Sequence, residues 1–249
     1  MKISEDVRQV LERGVVIDGS YLRITQKLDR VLYMKVAKTL DALGAKWERR
    51  VQSHVSDPEL GSRIEQALVQ GEVTTDRDLG FFATPRKLAE QMAEWVCPVP
   101  GLSVLEPSAG SGALADAATA RGAKVTCIEY YGQRATTLAN RWRYTLNADF
   151  MDYTALIPYQ GIIANPPFCK VGLGDHLDHL TRMLTMLAPG GRLACVMPAS
   201  LIFREDRRYA EMRRALGAAG AKIEPLPEGT FKESGTLVNT CLVKLAKAA

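Results

Sequence analysis

Histidine is the scarcest of the chemistry-bearing residues, with three in 249 positions. Two of them, His176 and His179, stand three apart, but no third ligand accompanies them, so the pattern of a zinc site is missing and no metal is expected. The five cysteines, Cys97, Cys127, Cys169, Cys195 and Cys241, lack the paired spacing of a metal or redox motif. Cys127, Cys195 and Cys241 fall in apolar, strand-like runs, where reduced and buried thiols are expected. No stretch of about 18 apolar residues is present, which excludes a membrane-spanning helix. The opening Met1-Lys2-Ile3-Ser4-Glu5 has no apolar core of the kind a signal peptide needs. A cytoplasmic location is the expectation. The spacing Gly-x-Gly-x-x-Gly is also absent, which removes the main signature of a dinucleotide site.

What is present is an ordinary folded-chain composition, 47% hydrophobic and 24% charged, long enough for one large domain with an attachment. The formal charge of +4 is spread unevenly. Between Leu22 and His54, eight basic residues (Arg23, Lys27, Arg30, Lys35, Lys38, Lys46, Arg49, Arg50) face Asp29, Asp41 and Glu48, a local balance of +5. In this region residues 15–25 alternate as a strand. Lys27 to Leu43 then sets Leu28, Val31, Leu32, Val36, Leu40 and Leu43 at helical spacing before Gly44. Lys46 to Val55 alternates again, with Trp47, Val51 and Val55 on one side and Lys46, Arg50 and His54 on the other. Pro58 to Val69 reads as a short helix. Residues 1–75 are therefore expected to form a small basic α/β module, with Lys46, Arg49 and Arg50 as candidate contacts to a phosphate backbone. The same pattern also fits a packing module with solvated surface charges.

Residues 76–249 alternate strands with helices, which predicts a mostly parallel sheet covered on both faces. Pro85 opens a helix over Arg86 to Val96, with Thr84 as its candidate N-cap. Leu102 to Ser111 is a strand running into a glycine loop, and Ala113 to Ala120 is the helix that follows. Gly110 and Gly112 let the backbone approach a ligand, and the helix start favours a carboxylate. Lys124 to Glu129 is a second strand, closed by an acidic side chain 23 residues after Glu106, a position from which a carboxylate can take both ribose hydroxyls. A helix over Gln133 to Arg143, a strand at Thr145 to Asp149 and a strand at Ile162 to Ala164 follow. Beyond these, a helix over Asp175 to Leu187 ends at Pro189-Gly190-Gly191. Arg192 to Met197 is a strand, Phe203 to Leu216 an arginine-rich helix, and Ala221 to Leu226 and Leu237 to Leu245 the last two strands, the final one antiparallel.

The chemistry concentrates at Asn165-Pro166-Pro167-Phe168. Each proline fixes its own φ, offers no N–H and biases the preceding residue away from the helical region. Asn165 is thus held stiffly at the C-terminal end of a buried strand, where open α/β sheets place their ligands.

This tetrapeptide resembles the Asn-Pro-Pro-aromatic motif of class I, S-adenosylmethionine-dependent amino-group methyltransferases, most closely the adenine-N6 DNA methyltransferases. Phe81-Phe82-Ala83-Thr84-Pro85 is similar to the segment those enzymes place ahead of the donor site, and Asn147-Ala148-Asp149-Phe150 resembles their Gly-Asp-Phe motif with Ala148 in the place of glycine. The resemblance covers Phe81 to Leu245 and implies a Rossmann-like, seven-stranded class I methyltransferase sheet joined to the small N-terminal α/β module. It implies that Phe82, Thr84, Glu106, Ser108, Ala109, Gly110, Gly112, Glu129, Tyr130, Asp149, Phe150 and Asn165 hold S-adenosylmethionine. Glu106 would meet the donor's ammonium, Glu129 its ribose, and Asp149 its adenine amine. It implies further that the Asn165 side-chain oxygen and the Pro166 carbonyl accept the two protons of the target amine, that Pro167 stiffens the turn, and that Phe168 stacks on a base flipped out of its helix. Lys170, Arg204 and Arg207 are added to the candidate nucleic-acid contacts. The large C-terminal recognition domain of many site-specific relatives is not expected, and short or relaxed sequence preference on DNA follows. An RNA methyltransferase acting on adenine or guanine, and a nucleic-acid-binding regulator without catalysis, are the alternatives. Target site, strand state and oligomeric state are left open.

Overall fold

A computed structural model describes residues 1–56, 60–73, 82–168 and 175–249, and the chain divides into two units, Met1–Leu79 and Gly80–Ala249. The first unit opens with α1 (Glu5–Arg13), a helix with no counterpart in the expectations above. Glu5 and Asp6 in its first turn and Arg13 in its last complement the helix dipole, and only Val7, Val10 and Leu11 face the core. Residues 15–25, expected as one strand, form the hairpin β1 (Val15–Asp18) and β2 (Tyr21–Ile24). Gly19 at φ +58° supplies the reversal. α2 (Arg30–Ala42) starts at Asp29, whose carboxylate accepts from the Val31 and Leu32 amides.

Lys46 to Val55 is likewise a hairpin and not a single strand: β3 (Lys46–Glu48) and β4 (Ser53–Val55) pair antiparallel. Trp47 therefore lies directly opposite His54 and shares its face, with ring centroids 5.1 Å apart. The turn between them uses Gln52 at φ +50°, which is why no glycine or proline announced it. α3 (Leu60–Gln70) closes the unit; Pro58, the expected helix start, lies outside the described residues. The four strands run in the order β1-β2-β4-β3, and Leu22, Val36, Leu40, Leu60 and Ile64 form the core beneath them.

The second unit begins with α4 (Arg86–Val96). β5 (Ser103–Glu106), α5 (Ala113–Ala120), β6 (Lys124–Glu129), α6 (Gly132–Ala139), β7 (Thr145–Asn147) and β8 (Tyr159–Ala164) follow. α7 (His176–Met186), β9 (Leu187–Pro198), α8 (Ser200–Phe203), α9 (Arg207–Ala218), β10 (Lys222–Pro225) and β11 (Thr240–Ala246) complete it. Its seven strands are ordered β10-β11-β9-β8-β5-β6-β7. β8, β5, β6, β7 and β9 run parallel, and β11 lies antiparallel to both its neighbours. Two apolar clusters cover the two faces. One packs Met92 and Val96 of α4 with Leu114 and Ala118 of α5, and the other packs Leu180 and Met183 of α7 with Leu216 of α9. Gly161 lets β8 and α4 meet closely, since a Cβ there would stand 2.6 Å from the Val96 side chain.

Three local expectations are corrected. The helix ahead of Pro189-Gly190-Gly191 ends earlier, at Met186, and those three residues lie within β9, where its pairing with β8 shifts register. The single helix over Phe203 to Leu216 is two, broken where the Asp206 carboxylate accepts from the Tyr209 amide and restarts the turn. The helix after Glu129 stops at Ala139, short of Arg143. Among the described residues no helix is long and apolar enough to cross a membrane.

Candidate active site

Strand order reverses at β5: the chain proceeds outward through β6 and β7 on one side and through β8 and β9 on the other. The crevice above such a reversal is where open α/β sheets bind ligands. β5, β6 and β8 end there in Glu106, Glu129 and Ala164, the last leading directly into Asn165.

Asn165 is half-buried and already tethered. Its Nδ2 donates to the Phe82 carbonyl at 2.9 Å and to Thr84 Oγ1 at 3.1 Å. A carbonyl oxygen can only accept, so the nitrogen must face Phe82 and Oδ1 is the acceptor end left for a ligand. Thr84 is thereby reassigned. It does not cap α4, whose start carries no side-chain cap bond, because its hydroxyl is turned to Asn165. Ser234 Oγ donates to the Ala83 carbonyl at 2.6 Å and fixes the same segment from the other side.

Behind the prolines, Phe168 packs half-buried on the α4–α5 cluster. His176 Nδ1 lies 3.2 Å from its carbonyl, and His176 Nε2 lies 2.8 Å from the Tyr209 hydroxyl. Burial pushes the His176 pKa down, which keeps the ring neutral. Neither His176 nor Tyr209 was a candidate site residue, and neither carries a local sequence signal, since 33 positions separate them.

Across the crevice, Glu129 is buried and ties two loops together. Its two oxygens accept from the Gly110 amide at 2.7 Å and the Tyr131 amide at 2.8 Å. A carboxylate has about four acceptor positions, so these two amides do not by themselves fill it. Asn147 reinforces the strand end, its Nδ2 donating to the Glu129 and Tyr130 carbonyls at 2.9 and 3.0 Å. This residue too had been assigned no role. Tyr130 is exposed at the crevice rim.

Glu106 differs. It is 2% exposed, and its Oε2 meets no hydrogen-bond partner among the described residues. Burial pushes its pKa well above the usual carboxylate range, opposed by a hydrogen bond from the Ala115 amide and helped by the nearby charge of Glu129. A buried carboxylate oxygen without a partner suits a ligand that brings a cationic donor.

The glycine loop divides its duties. Gly110 adopts φ +56° beside the Glu129 clamp. Gly112, at φ +85°, makes room for Trp142, whose ring a Cβ would meet at 2.7 Å. Ser108 is half-buried and Ala109 buried in the same loop. Asp149 Oδ1 accepts from the Met151 amide at 2.8 Å. The Phe150 ring is buried with the α7 cluster, its centroid 5.3 Å from that of His179, so its surface is spent on packing. Arg204 pairs with Asp206 at 2.5 Å and Arg207 with Glu211 at 2.7 Å; both are surface pairs that a polyanion can outcompete. Lys170 and Phe81 lie outside the described residues. Lys46, Arg49 and Arg50 are exposed on the first unit.

No family model matches the sequence. Solved structures do. A modification subunit of a putative type I restriction enzyme from Vibrio vulnificus YJ016 aligns with a TM-score of 0.58 at 19% identity, over 76% of this chain and 49% of that one. A putative class I S-adenosylmethionine-dependent methyltransferase from Listeria monocytogenes aligns with a TM-score of 0.54 at 15% identity, over 98% and 88%. The 23S rRNA methyltransferase ErmE aligns with a TM-score of 0.51 at 19% identity, over 68% and 70%. The fold is that of the class I methyltransferases. The chain spans about half the length of the Vibrio subunit. S-adenosylmethionine is the cofactor expected of a class I methyltransferase fold, and the residues at this crevice fit it: an unmatched buried carboxylate for an ammonium, a clamped carboxylate for hydroxyls, and a left-handed glycine where the loop must turn.

Proposed function

We propose that this chain transfers a methyl group from S-adenosylmethionine to the N6 amine of adenine in DNA, with short or relaxed sequence preference. The observation that carries the reading is the tether on Asn165. An exocyclic amine conjugated to a purine ring is a weak nucleophile because its lone pair is delocalised. Asn165, with its nitrogen held by Phe82 and Thr84, presents Oδ1 as a fixed acceptor, and the Pro166 carbonyl is the second acceptor in reach along the same turn. Together they draw the amine protons to one side and localise the lone pair opposite. Preorganised dipoles of this kind need no rearrangement as charge develops. Phe168 offers the ring on which the extruded base stacks.

S-adenosylmethionine, when bound, supplies an electrophilic methyl group on a sulfonium centre. Glu106 would answer its ammonium, Glu129 its ribose hydroxyls, Gly110 and its neighbours Ser108 and Ala109 its methionine end, and Tyr130 and Asp149 its adenine. Three features support DNA as the substrate: Phe81-Phe82-Ala83-Thr84-Pro85, the engagement of its Thr84 with Asn165, and the likeness of the fold to a restriction-enzyme modification subunit.

The test is purified protein with labelled S-adenosylmethionine offered duplex DNA, single-stranded DNA, RNA and protein extract, followed by nucleoside analysis. N6-methyladenine in DNA is the expected product. Label confined to RNA or protein would overturn the assignment of substrate.

A further inference from the structure

The first unit carries a groove that the proposed chemistry leaves unused. It lies between α2 and the β3–β4 hairpin, has a volume of ≈ 810 Å³, and is open along one side. Volumes of this order accommodate small ligands or a nucleotide. Its floor is apolar and exposed: Val31, Tyr33, Met34 and Trp47 are each more than a third accessible and all line it. Four large exposed apolar side chains in one concavity form a patch of the kind that marks an interaction site. Arg30 and Lys38 line the same groove, and neither forms an ion pair among the described residues. Lys35 is tied to Asp6 at 2.7 Å, and Asp41 is the one acidic lining residue.

The deciding observation is His54. The residue is 3% exposed, its ring stands edge-on to Trp47 and it lines the groove, while its Nδ1 meets no hydrogen-bond partner among the described residues. Burial pushes its pKa down, so the ring is neutral. A buried ring nitrogen without a partner carries a desolvation cost that a polar ligand would remove.

We propose that this groove binds unpaired bases of single-stranded DNA: a base stacks on Trp47, Arg30 and Lys38 take the flanking phosphates, and His54 Nδ1 hydrogen-bonds the base edge. Aromatic faces interleaved with cations are how proteins hold single strands. A duplex hides the faces of its bases, and an apolar floor offers its phosphates nothing. The proposal deepens the DNA reading above and rests on it for the choice of DNA.

The experiment measures, without donor, the fluorescence anisotropy of a labelled single-stranded DNA about twelve nucleotides long, beside the same sequence as duplex and as RNA, with the 249-residue chain. Single-stranded DNA is expected to bind about tenfold tighter than duplex. Trp47→Ala should weaken it by about tenfold, the scale of one lost stack, and Trp47→Phe should restore most of that loss. The surface double variant Arg30→Ala/Lys38→Ala, remote from the hairpin core, should weaken binding and flatten its salt dependence. Unchanged affinity in Trp47→Ala and in the double variant, or tighter binding of duplex or RNA, overturns the proposal. Methyl transfer is assayed in parallel. Trp47-dependent binding without methylated DNA would remove the proposed function and leave the groove, whereas methylated DNA with binding indifferent to Trp47 and to the cations would do the reverse.

Discussion

The two strands that frame the crevice finish in opposite states. β8 runs into Asn165, whose amide nitrogen has two acceptors at 2.9 and 3.1 Å before any ligand arrives. β5 ends in Glu106, whose Oε2 has no partner among the described residues although the side chain is buried. The first end is preorganised and the second is unfinished. Chemistry needs the former, because an acceptor that must first be oriented gives back much of what it stabilises. Binding tolerates the latter, because a ligand that supplies the missing donor relieves a cost the free protein carries.

The sharpest way to break that contrast is Asn165→Ala. Removing one preorganised group of this kind costs about 10²- to 10³-fold in turnover, while affinity for S-adenosylmethionine should fall far less, since the contacts assigned to Glu106, Glu129 and the glycine loop do not involve Asn165 and only the Phe82–Thr84 segment loses its tether. Single-turnover methyl transfer and calorimetry read the two quantities separately. A parallel fall in donor affinity would merge the two ends into one site and dissolve the comparison.

Glu129→Gln should have the next largest effect, on the donor side alone. The substituted amide turns an NH₂ towards either the Gly110 or the Tyr131 amide, which both donate to Glu129 in the native chain. A buried donor left facing a donor costs about 1–3 kcal/mol, so the glycine loop loosens and donor affinity should fall by roughly tenfold or more. Turnover at saturating donor should change little. Calorimetry with a melting curve checks it.

Glu106 makes the unfinished end measurable through pH. Burial holds its pKa well above the usual carboxylate range, so the folded, donor-free chain keeps a proton that the unfolded chain has already lost. The folded state therefore binds more protons between the ordinary and the raised pKa, and stability falls as pH rises through that window, by at most about 1.4 kcal/mol per pH unit. Glu106→Gln, which does not titrate, should flatten the fall. A bound cationic donor should also oppose it in the wild type by favouring the ionised form. Melting curves from about pH 5 to 8, with and without S-adenosylmethionine, test both. Identical pH slopes in the two proteins would mean that Glu106 carries no raised pKa.

The legibility of these regions follows the same line. The glycine loop and α4 were readable as local structure because their signals are local: Pro85 at the start of α4, glycines ahead of a helix, a buried apolar run before Asn165. Thr84 was misread as a cap because its partner, Asn165, lies 81 residues away. The two hairpins of the first unit read as single strands for a different reason. One turn is made by Gly19-Ser20 inside an alternating run, and the other by Gln52 in a left-handed conformation that its sequence does not advertise. α1 escaped notice because Val7, Val10 and Leu11 are too few apolar positions to set a period among so many charges. His54 was placed on the polar face of a strand, and only the register of the hairpin turns it towards Trp47.

The smallest expected effect belongs to Tyr209→Phe, and it probes how far the preorganised end extends. The Phe168 carbonyl can only accept, so His176 must donate to it from Nδ1. Its Nε2 then carries the lone pair, and the Tyr209 hydroxyl must be the donor at 2.8 Å. The hydroxyl in turn can accept from Ser200 Oγ at 3.3 Å. Tyrosine 209 thus selects the tautomer that pins the backbone of the stacking residue, a positioning role that touches no substrate. Removing its oxygen leaves a buried Nε2 without a donor at a cost of about 1–3 kcal/mol. If the tether holds Phe168 for stacking, the Michaelis constant for DNA should rise a few-fold while turnover at saturation and donor affinity remain close to native. A lowered melting temperature with unaltered kinetics would confine His176 and Tyr209 to the core and place the edge of the preorganised region at the prolines.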